Sequence, residues 1–173
     1  MKNSRLLIFI LLTSVLIGAM FISCDKNEQI PNELKSVDFS SKGFVGTKVA
    51  YKSDNSVKLA ISNDELINSF TAYSSKYDLN KKGKSFDILE IEGKYYIRFT
   101  NTDDSISTVA LLNDSSKFKK EKNKIGNFNL MYIGETVCTT EACAVCSGCI
   151  PDGNYCSNGT LDARDCTRTT SGG

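Results

Sequence analysis

Six of the seven cysteines in this 173-residue chain crowd into residues 138–166. They are Cys138, Cys143, Cys146, Cys149, Cys156 and Cys166, in a stretch that opens CTTEACAVCSGC and continues IPDGNYCSNGTLDARDC. This stretch sets the hardest limit on the fold. Its apolar residues, Val137, Val145, Ile150, Tyr155 and Leu161, are too few to make a core among so many Gly, Ser, Thr and Asp residues. A metal ion, a redox-active pair or covalent bridges must therefore hold it together. In the chain-entropy treatment a closed loop of about 15 residues is worth roughly 3 kcal/mol, so three bridges suffice. Which of the three applies depends on the compartment, and the evidence for that lies at the other end of the chain.

The first residues are basic, with Lys2 and Arg5, and residues 6–22 then carry no charge. A short cationic start before an apolar run is the pattern of a secretory signal, because the cations stay in the cytoplasm while the hydrocarbon segment enters the bilayer. The run closes on Phe21-Ile22-Ser23-Cys24. Large apolar, apolar, small, cysteine resembles the lipobox of bacterial lipoproteins, with Phe21 where leucine is usual. The resemblance covers the first 24 residues. It implies cleavage between Ser23 and Cys24, diacylglycerol on the Cys24 thiol and a fatty acyl group such as palmitate on the new amine. At about 0.8 kcal/mol per buried methylene, two chains anchor a protein stably where one is marginal. The alternative is an uncleaved signal anchor, since roughly 17 apolar residues is the lower limit for a span. Either reading exports everything after Cys24.

With Cys24 assigned to lipid, six cysteines remain in an oxidising compartment, and an even number there is what disulfide pairing predicts. Fifteen connectivities are open. Two other chemistries remain as alternatives. Cys143-x-x-Cys146-x-x-Cys149 has the opening spacing of a ferredoxin motif, but the fourth cysteine and following proline that motif requires are not at their places. A zinc ribbon needs two separated Cys-x-x-Cys pairs, and Cys156 and Cys166 do not form the second. A redox pair at Cys143 and Cys146 needs a helix starting at the motif, where Ser147-Gly148 and Pro151-Asp152-Gly153 break one.

Removing Lys2 and Arg5 with the leader leaves 19 basic against 20 acidic side chains on about 150 residues. This balance offers no field for nucleic acid and enough chain for one modest core. The chain has no histidine. That removes the usual general base and the commonest metal ligand, so Ser-His-Asp, Cys-His and HExxH chemistries are excluded. The expectation is a non-enzyme with no cofactor other than the lipid on Cys24.

Along the exported chain, residues 24–36 read as a lipidated tether, with Asp25 and Glu28 resembling the acidic surface-display stretch of Bacteroidota lipoproteins. Val57, Leu59 and Ile61 alternate as in a strand. Ser62 and Glu65 form a capping box before Leu66, Ile67, Phe70, Tyr73 and Tyr77 at helical spacing, and Lys81-Lys82-Gly83-Lys84 is expected to end that helix. Two β-rich runs flank Glu92-Gly93-Lys94, with Tyr95, Ile97 and Phe99 on one face and Tyr96, Arg98 and Thr100 on the other. A polar turn over 101–104 leads to a third strand, and Phe128, Leu130 and Tyr132 mark a last one. Asp103 and Asp104 read as turn residues, KFKKEKNK over 117–124 as a solvated loop, and KGFVGTK lacks the context of a phosphate loop.

Asp104-Ser105-Ile106 resembles the O-glycosylation site of Bacteroidota, with Ser105 as acceptor. The expected fold class is α+β, one helix packed on a small antiparallel β-meander and followed by a disulfide-rich irregular tail. The expected divisions are 1–23 signal peptide, 24–36 tether, 37–135 domain and 136–173 tail. The whole resembles small lipoproteins of Bacteroidota. That resemblance implies an address, a lipid-anchored protein of the cell envelope in the outer membrane, rather than an activity; the leading expectation is a non-enzymatic binding protein with an envelope protein or glycan as partner. An extracytoplasmic enzyme, a thiol-redox or metal-binding factor, and an inhibitor or effector using the tail are the alternatives.

Overall fold

The structure is a computed structural model and describes residues 29–113, 124–141, 149–158 and 166–170. After a 3-10 turn at Asn32–Leu34, strands β1 (Lys48–Ser53) and β2 (Ser56–Leu59) precede one helix, α1 (Asn63–Lys76). Strands β3 (Gly83–Ile91), β4 (Lys94–Asn101), β5 (Ile106–Leu112), β6 (Lys124–Ile125) and β7 (Phe128–Thr140) follow. The cysteine-rich segment contributes β8 (Cys149–Asp152), β9 (Tyr155–Asn158) and β10 (Cys166–Thr170). The fold is β-rich, dominated by an antiparallel sheet, rather than an even mixture of helix and sheet.

The local signals form the elements they specify. Ser62 Oγ accepts from the Glu65 amide at 3.1 Å, as an N-cap should. The second half of the expected capping box is redirected, because the Glu65 carboxylate accepts from the Ser41 amide at 3.1 Å and hydroxyl at 3.2 Å. This ties the helix start to the chain before β1. The helix ends earlier than the Lys81–Lys84 stretch implied. Tyr77 is its C-cap, and Asp78 and Asn80 take left-handed backbone with φ 56° and 53°. Tyr77 is consequently 37% exposed and lies outside the buried stripe of Leu66, Phe70 and Tyr73. Gly83 instead opens β3 close under the helix, where a Cβ would stand 3.2 Å from Phe70 and 3.3 Å from Ile67.

Strands β3, β4 and β5 form the expected meander. Ile91 pairs with Lys94 across a two-residue turn in which Glu92 and Gly93 have φ 52° and 74°, the left-handed pair that matches strand twist. The meander is only part of a larger sheet ordered β2-β1-β7-β5-β4-β3. On one face Tyr95, Ile97 and Phe99 join Val109, Leu111, Met131, Ile133 and Val137 under the helix. Phe70 stacks on Phe99 with centroids 4.1 Å apart, and Phe44 lies 5.6 Å and 5.9 Å from the two rings. Phe44 reaches this place through a left-handed backbone (φ 61°), so KGFVGTK is the loop that inserts a core plug.

The other face is covered too, so Leu130 and Tyr132 are buried beside Met131 and Ile133. The alternation read at Phe128, Leu130 and Tyr132 belongs to this second face rather than to the helix side. Where described, the tail is not irregular. Strand β10 pairs with β7 from Cys166↔Thr140 to Thr170↔Thr136, and β8 and β9 form a hairpin. Cys138 on β7 is bonded to Cys156 on β9, and Cys149 on β8 to Cys166 on β10. The Cα separations of 5.7 Å and 5.9 Å fit unforced bridges. Strand β7 thus runs across residue 136, and the tail residues described here form part of the same compact unit, Pro31–Gly173. Cys143 and Cys146 lie outside the described residues.

The aromatic stack is the densest part of the core. Phe70→Ala removes a fully buried ring and its face-to-face partner, and a loss of about 3–5 kcal/mol in urea unfolding is expected. A loss below about 1 kcal/mol would contradict the packing described.

Candidate functional site

A cleft lies where the stapled hairpin overhangs the sheet. Strand β7 bulges beside β5. Val109 pairs with Val137, but Leu111 pairs with Ile133, so Ala110 faces three residues, Gly134, Glu135 and Thr136. Gly134 permits this approach, because a Cβ there would lie 3.3 Å from the Ala110 carbonyl oxygen and 3.4 Å from its Cβ. On the hairpin, Asp152 pairs with Tyr155 across a tight turn in which Gly153 has φ 61°. Bulge and turn enclose a cleft of about 460 Å³.

The cleft combines apolar surface with polar groups. Tyr96, Leu112 and Pro151 supply the first, and Asn113, Thr136 and Asn154 are among the second. Tyr96 is buried (3% exposed), and that burial pushes its phenol above the ordinary tyrosine range. Lys94 stands 3.8 Å from Asp152, an exposed pair across the mouth. Thr136 is 3% exposed, and its hydroxyl has no hydrogen-bond partner among the described residues. The disulfides position one wall, because Cys149 and Cys156 flank the hairpin segment that carries Pro151, Asp152 and Asn154.

A second polar cluster lies elsewhere. Lys81 Nζ donates to Asp103 at 2.7 Å and to Glu141 at 2.8 Å. Asp103 also accepts from the Ser105 hydroxyl at 2.6 Å and amide at 3.2 Å. Asn101 Nδ2 donates to Ser105 and Ser107, each at 3.0 Å, and Ser107 shares a hydrogen with Thr139 at 2.8 Å. The bonds from Lys81 and Ser105 hold the Asp103 carboxyl down at about 2, and the two carboxylates hold the Lys81 ammonium above its ordinary value. A lysine kept protonated in this way is the opposite of a basic or nucleophilic one. The cluster clasps three segments of chain, and Asp103 is a clasp member rather than a bare turn residue.

The residues singled out in the sequence fall in different places. Ser105 is 2% exposed and engaged by Asp103 and Asn101, so a transferase reaches its hydroxyl only before this turn folds. Cys138, Cys149, Cys156 and Cys166 are structural bridges. Ser23, Cys24, Cys143, Cys146 and residues 117–123 of the lysine-rich stretch lie outside the described residues. Among the described residues no three His, Cys, Asp or Glu side chains gather as a metal site. The sequence reasoning missed the cleft itself. Two signals pointed toward it, a glycine inside a strand pattern at Gly134 and the Pro-Asp-Gly turn at Pro151, which forms a hairpin rather than merely breaking a helix. No known protein family, curated protein or solved structure matches the chain.

The clasp predicts a pH dependence. Asp103 has a folded value below its ordinary 3.8, so its contribution is complete above about pH 4 and is lost as pH falls through about 2. Asp103 is half exposed, which limits that contribution to about 1 kcal/mol. Asp103→Asn is therefore expected to be slightly less stable than wild type at pH 7, with the difference closing between pH 4 and pH 2 in urea titrations. A difference that persists at pH 2 would show that charge is not its origin.

Proposed function

We propose that this chain is an exported lipoprotein, held in the bacterial cell envelope by acyl chains on Cys24, and that it binds a partner rather than catalysing a reaction. The observation that carries the binding half is the cleft, where a bulged sheet and a covalently fixed hairpin make a preformed concave surface. Its volume lies within the roughly 300–1,000 Å³ of small-ligand sites. The export half is supported by the leader and by the two bridges, which belong to an oxidising compartment. Six residues, 25–30, lie in the sequence between Cys24 and the compact unit that begins at Pro31. The resemblance to Bacteroidota lipoproteins implies the outer membrane as the address, and an envelope partner is our reading of a cleft in that setting.

Both halves are testable in cells. Cys24→Ser is expected to abolish palmitate labelling and release the protein from the membrane fraction; retention without label would sink the lipid anchor. A photo-crosslinking residue at Leu112, on the cleft and 39% exposed, should give discrete adducts, whereas one at Tyr77, 37% exposed at the helix end, should not. Equal labelling from both sites would remove the cleft as the binding surface.

A further inference from the structure

We infer that the cleft takes an uncharged saccharide ring, an inference that rests on reading the cleft as the ligand site. Four observations narrow the ligand chemistry.

The first is charge. Lys94 is accompanied on the cleft by Glu135 and Asp152, and its ammonium already faces Asp152 at 3.8 Å. A phosphate or carboxylate ligand would meet more negative than positive charge and leave its own anion poorly paired on burial.

The second is the ladder. Strand β4 is paired on both edges, by β3 and β5, and β5 on both edges, by β4 and β7. Away from the bulge, β4 and β5 therefore offer no free edge, and their main-chain hydrogen bonds, the kind by which extended peptides add to sheets, are already used.

The third is a pair of exposed carboxamides, Asn113 and Asn154, each able to donate and accept to neighbouring hydroxyls, which a purely apolar ligand would leave unused.

The fourth is the apolar surface itself. Leu112 offers exposed carbon surface beside those polar groups, with the buried Tyr96 and Pro151 behind it. A ligand that is neutral, carries hydroxyls along its edge and presents carbon–hydrogen bonds on its faces meets all four conditions, and a sugar ring has that construction.

The test uses the lipidated, oxidised protein in a sugar-free detergent and saturation-transfer NMR. The probes are maltose, lactose and diacetylchitobiose, with glucuronic acid and glucosamine as charged comparisons. Transfer to ring protons of at least one neutral disaccharide is expected, falling at least fivefold in Asn113→Ala and Leu112→Ala. Both residues are exposed, so neither variant threatens the fold. Absence of transfer to every neutral probe, stronger transfer to a charged one, or transfer indifferent to both variants would overturn the inference. Adducts from the Leu112 photo-crosslinker without saccharide signals would remove the ligand class and leave the binding site; loss of both would remove the site.

Discussion

Everything distinctive about this molecule depends on the hydrogen-bond ladder of β7. Asn129 pairs with both β1 and β6, Tyr132 with both β1 and β5, and Thr140 with both β5 and β10. Thirteen residues of one strand thereby unite the chain before the helix, the meander and the cysteine tail. The same strand carries Cys138, which anchors the hairpin, and the bulge that opens the cleft beneath it. A flat, regular β7 would keep the sheet but lose the concavity.

The two faces of the sheet are covered by different physics. On one side the helix buries Leu66, Phe70 and Tyr73 against an aromatic-rich core, so apolar burial and ring stacking hold that layer. On the other side the β8–β9 hairpin, with little apolar surface, packs against β5 and β7. Interleaved bridges hold this layer, since Cys149 lies inside the loop closed by Cys138 and Cys156 and is itself tied to Cys166. The covalent links replace a hydrophobic contribution the tail cannot make.

What the sequence revealed follows the distance over which each signal acts. The Ser62 cap, the Glu92-Gly93 turn and the shared face of Tyr95, Ile97 and Phe99 depend on neighbours within a few residues, and all are present. Glu65 departs from its local capping motif because its carboxylate is taken by Ser41, 24 residues earlier. The sheet is larger than the local patterns imply because β1 and β10 reach β7 through non-local pairing that no periodicity encodes. The even cysteine count signalled bridges, but choosing Cys156 for Cys138 required the hairpin to be laid over β7. The cleft was hidden for the same reason, since its walls meet only in three dimensions, although Gly134 marked the bulge.

The central claim is that the β8–β9 hairpin of the cysteine-rich segment is a second layer of the domain, covalently fixed to β7 and β10 of the sheet and forming one wall of the cleft. Amide hydrogen exchange before and after native-state reduction tests it most directly. In the oxidised protein, the hydrogen-bonded amides of β8, β9 and β10 should be protected. Reduction should release theirs selectively while α1 and the β3–β5 meander keep their protection. A tail that exchanges freely while oxidised, or one whose protection ignores reduction, would contradict the account.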